Sequence, residues 1–389
     1  MDKEENRKRY PLRRTMAFLT TLALVLGALF LVVNWQKLNF DYIRRWWTYR
    51  TLERNESGQA QSFAYDGGAG SLFTRLGDDL LVCSKSGVRL YSAGGTAYVE
   101  KTCTLKNPVV VTGGSSALVY DAGGTSLYVY RDREEVFSLE TEPGQAILSA
   151  NLNAQGLLTV ATQASGVKGS VTVYDSEFRL KFGVNLSSRF ITDAILSPDG
   201  RTLALATSGQ TGGTYDSQID FYTFPRSAED TTPDKVCRLG NNVVLKLNWS
   251  ADPLRVLGEN ALVLVNADGT EAGSYSYNWR YLKGYALDGD RGCSLLLGRY
   301  RAGTEADLVN VDFSGQETAS LELNCQVLSM SAAGRYLSVL TVDQLTIYSD
   351  DLREYHITEE LQGARKVLQR PDGSVLLIAG ETARLYLPD

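Results

Sequence analysis

Ile191 to Phe224 read ITDAILSPDGRTLALATSGQTGGTYDSQIDFYTF. An apolar run leads into Ser197-Pro198-Asp199-Gly200, where Pro presets φ and Gly accepts the φ > 0 of a tight turn. Leu203, Leu205 and Thr207 then alternate with smaller residues, a polar loop from Ser208 to Ser217 follows, and Ile219, Phe221 and Tyr222 close the stretch. The pattern predicts three antiparallel strands joined by one tight turn and one open loop.

The same cadence recurs outward in both directions. A turn followed by an apolar strand is found at GDDLLVCS (from Gly77), SSALVYD (Ser115), AQGLLTVAT (Ala154), PDGRTLALAT (Pro198), ADPLRVLG (Ala251), DRGCSLLLG (Asp290), AGRYLSVLT (Ala333) and PDGSVLLIAG (Pro371). The leading apolar positions Leu80, Leu118, Leu157, Leu203, Leu254, Leu295, Leu337 and Val375 lie 38, 39, 46, 51, 41, 42 and 38 residues apart. Such a period predicts an all-β, eight-bladed β-propeller over residues 62–389, with seven blades and an irregular closing sheet as the alternative. Third strands end in aromatics, as in VRLYS, SLYVYR, VTVYDS, IDFYTF, LTIYSD and ARLYLP, and edge strands follow as EEVFSLE and REYHITE. The chain stops after the third strand of the eighth unit, so the early segment QSFAY, Gln61 to Tyr65, is expected to supply its outer strand and close the ring.

These repeats carry a resemblance. LSPDGRTLALAT with IDFYTF, and QRPDGSVLLIAG with ARLYLP, resemble the WD40-like repeats of bacterial periplasmic propellers, although the Trp-Asp pair is absent. With its basic amino end, apolar stretch and Trp-rich segment, the chain is similar to an uncharacterised family of membrane-anchored proteins from clostridial-type Gram-positive bacteria. That resemblance implies a fold and a location but no activity.

Ahead of the repeats, residues 1–15 are basic and MAFLTTLALVLGALFLVV, residues 16–33, is uncharged. At about 1.5 Å per residue it approaches the thickness of a bilayer core, which predicts one transmembrane helix; no small-x-small cleavage pattern follows. Lys3, Arg7, Lys8, Arg9, Arg13 and Arg14 precede it, and fewer basic residues follow, so the amino terminus is expected in the cytoplasm and the body outside the plasma membrane. Residues 34–54 predict an amphipathic juxtamembrane helix that puts Trp35, Tyr42, Arg44, Arg45, Trp46 and Trp47 at the membrane interface, and residues 55–61 read as a linker.

Composition excludes more than it selects. Met1 to Glu56 carry eleven Lys or Arg and six Asp or Glu, so the remainder of a chain with net charge −6 carries −11. An acidic body of this kind argues against nucleic-acid binding. A single His, His356, and five scattered Cys without a CxxC pair leave no metal or cofactor constellation, and the cysteines read as small buried hydrophobes. The acidic loop Ser227 to Asp234 lacks the alternating ligand spacing of a calcium loop.

Function is therefore sought in loops. The connections between blades, and those between second and third strands, emerge on one face; three of the latter are long, at Gln163 to Ser170, Ser208 to Ser217 and Arg299 to Ala306. Asn278, Trp279, Arg280 and Tyr281 should meet Arg299, Tyr300 and Arg301 there, a pairing of planar cations with aromatic platforms suited to a peptide, a glycan or an anionic polymer. The expected function is a non-enzymatic binding or scaffold platform, needing no cofactor, for a protein or a cell-envelope polymer. The alternative is an enzyme acting on envelope glycan or peptide through channel carboxylates such as Asp193, Asp288 and Asp312.

Overall fold

The computed structural model describes residues 15–27, 40–50, 58–60, 62–68, 70–226 and 230–388. The described residues from 63 onward form eight four-stranded antiparallel sheets, which establishes the eight-bladed propeller and removes the seven-bladed alternative. Seven blades are continuous in sequence, at residues 72–102, 108–140, 147–186, 190–240, 244–276, 281–324 and 327–358. The eighth takes three strands from the carboxy end, Lys366–Gln369, Val375–Ile378 and Thr382–Tyr386, and its outermost strand from Phe63–Ala64. Phe63 pairs with Ala383 and Ala64 with Thr382, as the truncated last unit requires. Residues before the strand extend the staple: Ala60 N–H donates to Leu385 O at 2.9 Å, and Leu387 N–H donates to Gly58 O at 2.9 Å.

The apolar alternation of the strands explains how the sheets hold together. Eight hydrophobic clusters are present among the described residues, and each is shared by two consecutive blades. Between blades 4 and 5, for example, Ile195, Ala204 and Phe221 pack on Leu247, Trp249 and Val256, with the Phe221 and Trp249 rings edge-on at 6.2 Å. Trp249 is buried at no polar cost, because its indole N–H donates to Asp252 Oδ1 at 2.8 Å. The cluster that unites Phe63, Tyr65, Leu80 and Val82 with Leu376 and Ile378 welds the last blade to the first. With about 1.5–3 kcal/mol for each large apolar side chain buried, these inter-blade seams are the main cohesive term.

One element departs from its sequence reading. The stretch Ser208 to Ser217 is not an open loop: the strands Thr202–Thr211 and Thr214–Thr223 continue through it, pairing Ser208 with Ser217, Gly209 with Asp216 and Thr211 with Thr214. Gly212 and Gly213, at φ 61° and 81°, supply the two left-handed positions of a two-residue hairpin turn, so the ladder has no reason to stop earlier. The result is a β-hairpin arm that outruns its neighbours.

In the amino-terminal unit, residues 15–27 are helical and carry exposed Phe18 and Leu24. No helix among the described residues is long and apolar enough to cross a membrane, so the expected span over 16–33 is not supported as such; residues 28–33 lie outside the described residues. A second helix runs Phe40–Tyr49, inside the expected juxtamembrane segment. Trp35 and the side chains of Tyr42 and Trp46 lie outside what is described. Arg44 and Trp47 are exposed, and the Arg50 guanidinium sits 4.6 Å from the centroid of the Trp47 ring. Arg45 differs from expectation: it shares a helix face with Tyr49 four residues on, and both are buried.

Candidate functional site

The strand order fixes two ends of the ring. Each innermost strand begins at the end where blades are connected, here called the upper face, and turns into its second strand at the opposite end. Asn278 to Arg280 connect the outer strand Glu271–Ser276 of blade 5 to the inner strand Tyr281–Ala286 of blade 6, while Arg299 to Arg301 lie between the second and third strands of blade 6. The structure brings the two groups together on the upper face, with the Arg301 guanidinium 5.3 Å from the Tyr281 ring centroid.

Their roles are unequal. Arg280 is a brace: its Nε donates to Tyr277 O at 3.0 Å, Nη1 to Asp307 Oδ2 at 3.0 Å and Nη2 to the Tyr275 hydroxyl at 2.8 Å. Burial works to lower its pKa, but the bonds to Asp307 and Tyr275 outweigh that and raise it, so the charge is fixed. The brace holds a β-turn closed by Arg280 N–H donating to Tyr277 O at 3.1 Å, with Tyr277 buried beneath it. Asn278 and Trp279 occupy the turn at φ 51° and 67°, consecutive left-handed positions of the primed kind that favour Asn followed by Gly. Asn278 suits its place; Trp279 stands where glycine would be unstrained. The Trp279 side chain is 99% exposed, and Tyr300 is 68% exposed.

This pair belongs to a wider arc. Among the described residues, the large apolar side chains exposed on the upper face, including Phe190, Leu245, Trp279, Tyr281, Tyr300 and Val342, all fall on blades 4 to 7. The hairpin arm adds Tyr215, and the Lys168 ammonium lies 4.7 Å from the Phe190 ring centroid. Arg299 and Arg301 are exposed and have no ion-pair partner among the described residues, and Arg301 lies over the Tyr281 ring.

The channel opens elsewhere. A cavity of about 650 Å³ is lined by the inner strands and by their turns into the second strands, such as Gly113-Gly114, Ser250-Ala251 and Gly289-Asp290, which places it toward the end opposite the aromatic arc. Its wall carries Arg75, Lys246, Arg255, Asp288 and Asp290. Of the three carboxylates considered from sequence only Asp288 lines it, accepting a hydrogen bond from Asn248 Nδ2 at 2.8 Å. Asp193 is a joint between blades: it accepts from Asn151 Nδ2 at 2.8 Å and from Leu247 N–H at 3.1 Å, and burial raises its carboxyl pKa. Asp312 caps an outer turn, accepting from Ser314 N–H at 2.9 Å and Gln316 N–H at 3.0 Å. The three are therefore not assembled into one acid–base pair.

The remaining candidates resolve into structure. Asp230 and Asp234 pair with the buried Arg226 at 2.8 and 3.1 Å, and no group of metal-ligating side chains occurs among the described residues. His356 lies in the outer strand Glu354–Thr358, its ring 5.6 Å from that of Tyr386. Cys83, Cys237 and Cys293 are buried free thiols, and burial pushes Cys83 and Cys293 up to about 12.

Comparison with solved structures agrees with the architecture. The crystal structure of the C-terminal WD40 domain of Sif2 matches with a TM-score of 0.58 at 12% identity, covering 84% of this chain and 96% of that one. At that identity the likeness is one of fold, and the molecule is a WD40-like, eight-bladed β-propeller. Residues 49–355 match the family described as "Family of unknown function (DUF5711)", and the chain belongs to that family. None of the curated proteins matches its sequence.

Proposed function

We propose that this chain is a non-enzymatic binding platform whose upper face, over blades 4 to 7, engages a protein or a cell-envelope polymer. The observation that carries the reading is Trp279, a fully exposed indole in a left-handed turn position, with its turn held by the Arg280 brace. A bulky L-residue there costs about 1–2 kcal/mol relative to glycine, and the exposed ring recovers none of it within the chain. Strain of this kind is retained where a contact partner uses the side chain. Arg299 and Arg301 beside Tyr281 and Tyr300 add planar donors for carboxylates or sugar hydroxyls at the same place. The ring beneath is rigid, which suits recognition by loops.

The amino-terminal segment, in this reading, tethers the body to the outer face of a plasma membrane. The uncharged run over residues 16–33 and the exposed apolar side chains of residues 16–26 support it. Protease added to intact, wall-stripped cells should trim the body and spare the amino terminus; a body resistant until lysis would overturn the topology. For the binding face, crosslinking in intact membranes should recover a species with the wild-type chain that is lost with Trp279→Ala combined with Tyr300→Ala. Equal recovery by both chains would refute the assignment of that face.

A further inference from the structure

The channel wall holds cations that the fold does not use. Arg255 is partly used: its Nη1 donates to Asn248 Oδ1 at 2.9 Å and to Ser250 Oγ at 2.6 Å, its guanidinium lies 4.6 Å from the Phe313 ring centroid, and its buried Nε has no hydrogen-bond partner among the described residues. Arg75, in the inner strand Leu72–Leu76 of blade 1, is half-buried in the cavity wall with no hydrogen-bond or ion-pair partner among the described residues. Lys246, in the inner strand Val244–Asn248 of blade 5, has no such partner either, and its ammonium lies 5.9 Å from the centroid of the Tyr285 ring. Four blades separate the two in a ring of eight, so they stand on opposite walls. Among the described residues no acid lies within ion-pair distance of either: Asp288 keeps its charge while accepting from Asn248 and, with Asp78 and Asp372, acts on Arg75 only at longer range, and Asp290 on the same wall forms no ion pair. Burial and the neighbouring Arg370 both lower the Arg75 pKa, the mark of a guanidinium short of acceptors.

A guanidinium offers five donors in a planar fork, and leaving them unmade in a confined site costs free energy that an oxyanion recovers with two parallel hydrogen bonds. About 650 Å³ is a volume that takes a small organic molecule rather than a bare ion. We propose that the channel is a second binding site, distinct from the upper face, for a small organic anion whose carboxylate or phosphate group is clamped by Arg75 and countered across the channel by Lys246. This site does not depend on the aromatic arc, which lies at the other end of the ring.

The test is isothermal titration of the full chain with citrate and, separately, with glycerol 3-phosphate, up to about 10 mM. Saturable binding of at least one probe is expected, and which of them binds assigns the site to carboxylate or to phosphate chemistry. Arg75→Met should weaken that binding at least about tenfold, Lys246→Met by a smaller factor, and Arg179→Met, on an exposed outer turn away from both sites, should leave it unchanged. Arg75→Lys, which keeps charge but loses the fork, should fall between wild type and Arg75→Met. Absence of saturation with both probes overturns the proposal, as does binding that survives Arg75→Met. Should Arg75→Met fail to fold, undiminished affinity in Lys246→Met together with Arg75→Lys is the overturning result. Loss of envelope crosslinking in the Trp279 and Tyr300 variant, with citrate or glycerol 3-phosphate binding retained, separates the two sites.

Discussion

Trp279→Gly should stabilise the protein while removing the contact proposed for the upper face. An L-residue in the left-handed region costs about 1–2 kcal/mol relative to glycine, and Trp279 is held there at φ 67°. Glycine also loosens the unfolded chain, at a cost of about 0.4–1 kcal/mol. The informative comparison is with Trp279→Ala, which keeps the strained backbone and removes the ring. Because the ring is 99% exposed, the alanine variant should lie within about 0.5 kcal/mol of wild type. The glycine variant should then exceed the alanine variant by about 0.5–1 kcal/mol, the strain released less the entropy added. Urea unfolding read by far-ultraviolet circular dichroism gives the difference as a shift in midpoint at constant slope. Both variants should lose whatever partner crosslinks to the wild-type chain. A glycine variant less stable than the alanine one would show that the turn is unstrained, and the inference from strain to contact would fail with it.

Other outcomes follow from the same coordinates. Phe63→Ala empties the seam that closes the ring and should cost about 3 kcal/mol by chemical denaturation, against less than about 0.5 kcal/mol for Val136→Ala on an exposed outer strand; equal losses would mean the closure contributes little. Cys83 and Cys293, with thiols pushed up to about 12 and buried, should react with an aromatic disulfide reagent only after unfolding, and rapid labelling of the native chain would contradict their burial. The bond from Ser314, aided by those from the turn backbone, holds the Asp312 carboxyl below its ordinary value. Its contribution is therefore present above that value and lost as pH falls through the folded one, so the stability gap between wild type and Asp312→Ala should close on acidification, and a gap that widened would reverse the assignment.

The ring was legible because its information is local and repeated. A turn residue at φ > 0 followed by alternating Leu and Val needs only a few neighbours to specify a strand, and eight such units at similar spacing leave few architectures open. Closure by Phe63 and Ala64 was legible for a related reason, since a blade lacking its outer strand must find one. The hairpin arm is not legible because TSGQTGGTYDS is polar and glycine-rich, and nothing in its composition tells a solvated ladder from a loop. Trp279 and Arg280 were identified together but as equals; only the coordinates separate the exposed ring from the guanidinium that braces its turn. Arg75 and Lys246 carry no sequence signal, because only the closed ring brings two residues 171 positions apart to the lining of one cavity.

The channel wall also explains why polar residues occupy strands that are otherwise closely packed. An innermost strand pairs on one side only, so its other edge presents N–H and C=O groups that must be satisfied. Side chains of the preceding blade meet this need. Asn151 Nδ2 donates to Ala194 O at 2.9 Å, Asp193 accepts from Leu247 N–H at 3.1 Å, and Ser329 and Ser331 accept from Val367 and Gln369 N–H at 3.3 and 3.0 Å. Each of these polar groups is consumed by an edge, which is why Asp193 is no free acid despite its place on an inner strand. Arg75 and Lys246 sit on the same kind of strand and meet no edge. With no edge contact to make among the described residues, these two cations are the side chains on which the proposed channel site rests.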